Sequence, residues 1–124
     1  MTQAPKRYTR AEANALLPEL APTLVELRER LEEAAMARAE IERLAAGNGW
    51  SAKRERWRRT IARVEELLER LNGWGLVLRD VEQGLIDFPA IVDGAEAFLC
   101  WRLGEPEVRY WHRPDEGFAG RRLL

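Results

Sequence analysis

From position 20 onward, apolar residues recur on alternating steps of four and three: Leu20, Leu24, Leu27, Leu31, Ala34, Ile41 and Ala45, interrupted only where Arg38 takes a position of the series. That rhythm is the heptad seam of an amphipathic helix lying along a partner. A second series, Trp57, Ile61, Val64, Leu68 and Leu71, has the same spacing. Between the two, AAGNGWS breaks the pattern, with Gly47 as a left-handed helix stop and Ser51 or Asn48 as the next cap. The spacing therefore predicts two helices, the second over roughly 52–71, folded back as an antiparallel hairpin of coiled-coil type.

Thr9 and Glu12 have the spacing of a capping box and place the first helix start at Arg10. Pro18 and Pro22 each remove an amide donor and restrict the preceding residue, which predicts a short helix to about residue 17 and a long one from about residue 22. At ~1.5 Å per residue each long helix reaches ~30 Å or more. A small sheet cannot cover that length, so part of the seam is left over, and homodimerisation through it is the expectation.

After Gly75 the periodicity shortens and turn signals crowd together: Glu82-Gln83-Gly84, Asp93-Gly94 and Leu103-Gly104-Glu105-Pro106. These suit a three-residue hairpin loop, a two-residue hairpin turn and a further reversal. The prediction is an antiparallel β-meander of three to four strands, at about 76–81, 85–91, 95–102 and 107–112. Counting outward from the loops places Leu76, Leu78, Ile86, Phe88, Leu99, Trp101, Val108 and Tyr110 on a face toward the helices. The other face receives Val77, Arg79, Leu85, Asp87, Phe98, Cys100, Arg102, Glu107, Arg109 and Trp111. In that register Arg79 opposes Asp87, Arg102 opposes Glu107 and Phe98 opposes Trp111. Pro89 cannot donate to a ladder, so an irregularity is expected in the second strand.

The fold class is thus α+β: a long helical hairpin with a short N-terminal helix, then the meander. The 124 residues fit a single domain, with 10–72 as the hairpin part, 75–112 as the meander part and 113–124 as a C-terminal tail. Twenty basic and twenty-one acidic side chains nearly cancel, so no net field draws the chain to nucleic acid or to an anionic membrane. Cys100 is the only cysteine, which excludes an internal disulfide and fits a reducing cytoplasm. No stretch approaches the ~20 apolar residues of a membrane helix, and MTQAPKRYTR has no apolar run of the signal-peptide kind. A soluble, cytoplasmic protein is expected.

His112 is the only histidine. The register puts it on the helix-facing side with Tyr110 and Leu99, at the margin of the core, where a hydrogen-bonded structural histidine is the expected reading. Cys100 falls on the other face, so a Cys–His nucleophile pair within one chain is not expected. Asp115 and Glu116, just past Pro114, are the acids within reach of His112. One imidazole and two carboxylates are acceptable donors for a divalent metal, although the short-spaced Cys or His pairs of zinc sites are missing. Otherwise the two acids cap a turn or pair with Arg113 and Arg121.

Two other clusters carry candidate chemistry. Arg79, Asp87, Arg102 and Arg109, with Cys100 among them and Phe98 and Trp111 alongside, could hold an anionic ligand, form an interface or stand as cross-strand ion pairs on a solvated face. The run GWSAKRERWRR interleaves cations with Trp50 and Trp57, as nucleic-acid contacts do, but Trp57 belongs to the seam and Glu55 sits within the run. A solvated charged face is the expected reading there. No phosphate loop, nucleophile elbow or helical two-histidine motif occurs.

The pieces YTRAEANALLPEL, GLVLRD, GLIDFPAIVDG and LCWRLGEPEVRYWHRPDEGFAGR together resemble the small bacterial family catalogued as domain of unknown function 2203, over nearly the whole chain. The resemblance implies emphasis on Asp80, Asp87, Phe88, Pro89, Trp101, Arg102, Gly104, Glu105, Trp111, His112, Gly117, Phe118, Gly120 and Arg121. It carries no established activity. This chain departs from the family pattern in closing with Arg122, Leu123 and Leu124 and in following His112 with Arg113-Pro114. The resemblance brings Asp80, His112, Glu105 and Arg121 forward as a candidate catalytic set. The leading expectation is a homodimeric cytoplasmic binding or scaffolding module with a polar site at the C-terminal end of the sheet. The alternative is a metal-assisted enzyme: His112 as ligand or base, Asp115, Glu116 or Asp80 as carboxylate ligands, and Arg121 holding an anionic substrate.

Overall fold

The structure, a computed structural model, describes residues 6–44, 47 and 49–124. Its first helix, α1, starts where the capping box places it: the Thr9 hydroxyl accepts from the Glu12 amide at 3.1 Å, and the Glu12 carboxylate accepts from the Thr9 amide at 3.0 Å. The expected break at the prolines does not occur. Helix α1 runs unbroken over Arg10–Leu44 with Pro18 and Pro22 inside it. Both prolines lie four residues apart on the exposed flank, where water can serve the carbonyls that lose a partner. On the opposite flank Leu20, Leu24 and Leu27 are buried. Each contributes about 1.5–3 kcal/mol, enough together to hold a helix against local penalties of about 3 kcal/mol per proline.

Helix α2 spans Trp50–Gly73 and turns back along α1. Its N-cap is Gly49, which holds the left-handed φ of 83° expected of Gly47, and among the described residues no side chain caps it. Ser51 lies inside the helix, and Asn48 and the seam residue Ala45 fall outside the described residues. The buried stripe of α2 is Thr60, Val64, Leu67 and Leu71. It keeps the expected spacing but is rotated by one residue, because α2 also meets the first strand: Leu67 is buried, whereas Leu68 is 42% exposed. Arg63 locks the hairpin with a two-pronged bond to Glu26, both contacts at 2.7 Å. This holds the Glu26 carboxyl down at about 2. Among the described residues, no helix is long and apolar enough to cross a membrane.

Two helices are thus followed by an antiparallel sheet of five strands, not three to four: β1 (Val77–Asp80), β2 (Leu85–Val92), β3 (Ala95–Arg102), β4 (Tyr110–His112) and β5 (Arg122–Leu123), in that spatial order. The β2–β3 register follows the turn: Asp93 and Gly94 both take positive φ, as a type I′ turn requires, and Val92 pairs with Ala95. The β1–β2 pairing is displaced by two residues, with Val77 opposite Asp87 and an irregularity between Leu78 and Asp80. A shift of two preserves the faces. Gly84 closes that loop at φ +67°, where a Cβ would come within 2.5 Å of the Leu103 Cβ. β2 stays regular through Pro89, since β1 ends before reaching it and the Pro89 carbonyl accepts instead from the Tyr8 amide at 2.7 Å.

The β3–β4 register decides the site. Cys100 pairs with Tyr110, Leu99 with Trp111 and Phe98 with His112, one residue away from the expected register. A slip of one exchanges the faces. Trp111 enters the core beside Leu99, while Tyr110 and His112 move to the outer face. The cause lies in residues 107–109, which leave the ladder and are claimed by α1. The Val108 amide donates to the Asn14 side chain at 2.7 Å, and Arg10 donates to the Val108 carbonyl at 2.9 Å. The expected Arg102–Glu107 pairing is accordingly not formed: Glu107 meets Arg10 and Arg109, and the Arg102 amide donates to Glu105.

Candidate functional site

On the outer face three strands contribute one side chain each: Asp87 from β2, Cys100 directly opposite on β3, and His112 from β4. Strands two apart lie ~10 Å from one another, and the small Cys100 side chain between them lets Asp87 and His112 meet. His112 Nε2 is 3.0 Å from Asp87 Oδ1, and both residues are 2% exposed. The second carboxylate oxygen, Oδ2, accepts from Arg79 Nε at 2.7 Å, and that guanidinium rests 5.1 Å from the Phe98 ring centre. A chain of polar contacts thus runs from the exposed Arg79 through Asp87 to the covered His112.

The other histidine nitrogen, Nδ1, faces the Arg113 carbonyl at 2.8 Å. A carbonyl oxygen only accepts, so Nδ1 carries a proton. Nε2 then faces a carboxylate, also an acceptor. The contact is satisfied when a proton lies between Nε2 and Oδ1, or when a cation stands in that proton's place.

The segment after His112 folds over this face. The Glu116 carboxylate takes the Arg113 amide at 2.9 Å and both its oxygens take Arg122 at 2.7 Å, so these donors depress its titration. Arg113 reaches back to the carbonyls of Val92, Ala95 and Glu96 at the β2–β3 turn. A single 3-10 turn, Phe118–Gly120, follows before β5 pairs with β4. Arg121 grips Glu105 with two bonds of 3.0 and 2.8 Å and stacks on Tyr110 and Phe118, about 4 Å from each ring centre. Between cover and sheet lies a cavity of about 270 Å³. Asp87, Cys100 and His112 form its floor, Arg79 and Leu85 one side, and Pro114, Glu116, Gly117 and Phe118 the other. Burial, reinforced by the Asp87 charge, pushes the Cys100 thiol up to about 11, so the sulfur is protonated at neutral pH.

The structure distributes the sequence-derived candidates unevenly. His112, Arg79 and Asp87 converge on the cavity, and Arg121 with Glu105 braces its cover. Asp80 is elsewhere, accepting from the Gln83 amide and side chain in the β1–β2 loop. Glu116 lines the cavity but is engaged by Arg122, and Asp115 is exposed beside the turn. Arg102 and Arg109 are exposed outside the cavity, and Trp111 lies in the core. Cys100 and His112, assigned to opposite faces by the sequence register, share one. A signal for this was present: Val108 and Trp111 are both strongly apolar but three apart, so they cannot occupy one side of a regular strand.

A family model described as "Uncharacterized conserved protein", domain of unknown function 2203, matches residues 6–124. No curated protein and no solved structure matches the chain.

Proposed function

We propose, starting from the fact that the chain belongs to the uncharacterised conserved family of domain of unknown function 2203, that it is a binding module whose small anionic ligand occupies the outer cavity of the sheet. The observation that carries this reading is the buried Asp87–His112 pair, joined to the exposed Arg79, at a cavity of about 270 Å³. Stability alone does not call for it, because a buried ion pair can often be replaced by apolar residues at no loss. Arg79 supplies the recognition group: among the described residues only its Nε is hydrogen-bonded, the guanidinium rests on the Phe98 ring, and its side chain is 47% exposed. Its remaining donors suit a carboxylate or phosphate, while Leu85, Pro114 and Phe118 offer an apolar wall. The cavity lies near the lower end of ligand pockets, so the ligand is small.

Calorimetric titration of the chelator-treated full chain with benzoate, succinate, phenyl phosphate and inorganic phosphate tests the proposal. Saturable binding of at least one probe is expected, weakened about tenfold or more by Arg79→Gln, the scale of a lost charged hydrogen bond. Absence of binding by all four, or equal binding by the variant, overturns it.

Self-association through the distal hairpin belongs to the same proposal. Met36 is 74% exposed, and Ile41, Leu44, Trp50 and Trp57 extend an incompletely covered apolar strip beyond the sheet. Charge supports a second copy as the occupant. Over this stretch α1 sets Glu29, Glu32, Glu33, Glu40 and Glu42 against Arg30, Arg38 and Arg43, and α2 sets Lys53, Arg54, Arg56, Arg58 and Arg59 against Glu55. Beyond the in-chain pairs Arg30–Glu33 and Lys53–Glu40, a two-fold pairing of hairpins therefore brings an acidic surplus to a basic one. Light scattering over a dilution series is expected to show a dimer that Met36→Glu/Leu44→Glu dissociates; a monomer at every concentration contradicts it. A reducing, cytoplasmic compartment is part of the same proposal, supported by the single free thiol of Cys100.

A further inference from the structure

We infer that Asp87, Cys100 and His112 form a binding site for a divalent metal ion of the zinc class, with a fourth coordination position open to the cavity above. This rests on the reading of the cavity as the ligand site and names what stands at its floor. Four observations support it.

One carboxylate oxygen, one sulfur and one imidazole nitrogen, all from buried residues, lie within 4.8 Å of one another. Bonds of ~2.0–2.3 Å around a tetrahedral ion put ligand atoms ~3.3–3.8 Å apart, so side-chain adjustment rather than backbone movement closes the set. The other polar atoms of the ligands are already held as metal ligands require. His112 Nδ1 donates to the Arg113 carbonyl, which fixes the ring and leaves Nε2 as the metal-facing atom. Arg79 occupies Asp87 Oδ2 and leaves Oδ1 to bind through a single oxygen.

The donor conflict at Nε2 points the same way. Both ring nitrogens face acceptors, and a cation between Nε2 and Oδ1 removes the mismatch as well as a second proton does. A thiolate with an imidazole favours zinc, cobalt or iron(II) over magnesium or calcium. Three protein ligands leave one position, and it opens toward Arg79 and Phe118, where an anionic ligand would bind metal and guanidinium together.

Cobalt(II) titration of the untagged, chelator-treated full chain tests the inference. One equivalent is expected to produce intense visible bands of tetrahedral cobalt and a near-ultraviolet sulfur-to-cobalt band, which one equivalent of zinc abolishes. Cys100→Ser is expected to lose the sulfur band, and Asp87→Asn to weaken uptake about 100-fold or more, beyond the 10–100-fold seen for groups that only support a ligand. Should either variant fail to fold, the sulfur band of the unaltered chain still decides. Folded protein that shows no such band, or a Cys100→Ser variant that retains it, overturns the site. The two readings fail separately: probe anions bound without cobalt uptake sink the metal site alone, and cobalt uptake without anion binding to the chelator-treated chain sinks the ligand cavity alone.

Discussion

The two faces of the sheet are built from alternate residues of the same strands, yet they exclude water in different ways. Toward the helices, Ile86, Phe88, Leu99, Trp101 and Trp111 pack against Leu20, Leu24, Leu27 and Leu67 in one apolar cluster. Away from them, Asp87, Cys100 and His112 are just as inaccessible, covered by a short C-terminal segment pinned through arginine–carboxylate pairs. Burial of apolar carbon is favourable by itself, whereas each buried polar group has to be matched with a partner. The chain spends its matched polar groups where a cavity lies and its bulk where none is needed.

That contrast can be broken from the apolar side first. Phe88→Ala removes a completely buried ring and is expected to cost about 3–5 kcal/mol in denaturant unfolding, while any binding by the chain that remains folded keeps its affinity. On the polar side, His112→Ala takes the imidazole away from Asp87 Oδ1, leaves Arg79 on Oδ2, and is expected to cost about 3 kcal/mol. The sharper measurement is Asp87→Leu/His112→Leu, which should recover most of that loss yet abolish cobalt uptake. A double variant no more stable than the single one would show that the polar pair is structural.

Smaller effects refine the same comparison. Gly84→Ala strains a positive φ and drives a methyl into Leu103, with an expected loss of about 1–2 kcal/mol; a loss near zero would show that the β1–β2 loop does not set the edge of the cavity. Acid should loosen the polar cover before it affects the apolar face. The Glu116 carboxyl titrates lower in the folded chain than its ordinary value, through the Arg113 amide and Arg122. Its contribution is therefore present above the unfolded carboxylate range near pH ~4.3 and disappears as pH falls through the depressed value. Unfolding curves of the unaltered chain and Glu116→Gln are expected to differ slightly at pH 7 and to converge once the pH falls below the depressed value.

Much of this architecture is legible from residues close together in the chain. The capping box at Thr9 and Glu12, the leucine seam of α1 and the Asp93-Gly94 turn each depend on a few neighbours, and each appears where the pattern puts it. The prolines mislead because propensity describes an isolated helix, whereas Leu20, Leu24 and Leu27 keep α1 continuous past them from the far side. The α2 stripe misleads by one residue because a heptad describes two helices and this helix also touches a sheet strand.

The candidate site shows the same division at higher stakes. Arg79, Asp87 and Cys100 can be placed on a common face from turn chemistry alone, since the loops that align them are short. His112 could not be added to them that way, because its side depends on Asn14 and Arg10 drawing Val108 out of the ladder across 94 and 98 residues of chain. β5 likewise exists only because the cover returns to β4. The amino-acid order by itself determined the helices, the hairpin turns and the inventory of polar side chains, through interactions whose partners are a few residues apart. The tertiary structure alone decided which of those side chains meet, because a strand's face reverses with a one-residue slip, and that slip was set by the competing hydrogen bonds of a helix at the other end of the chain.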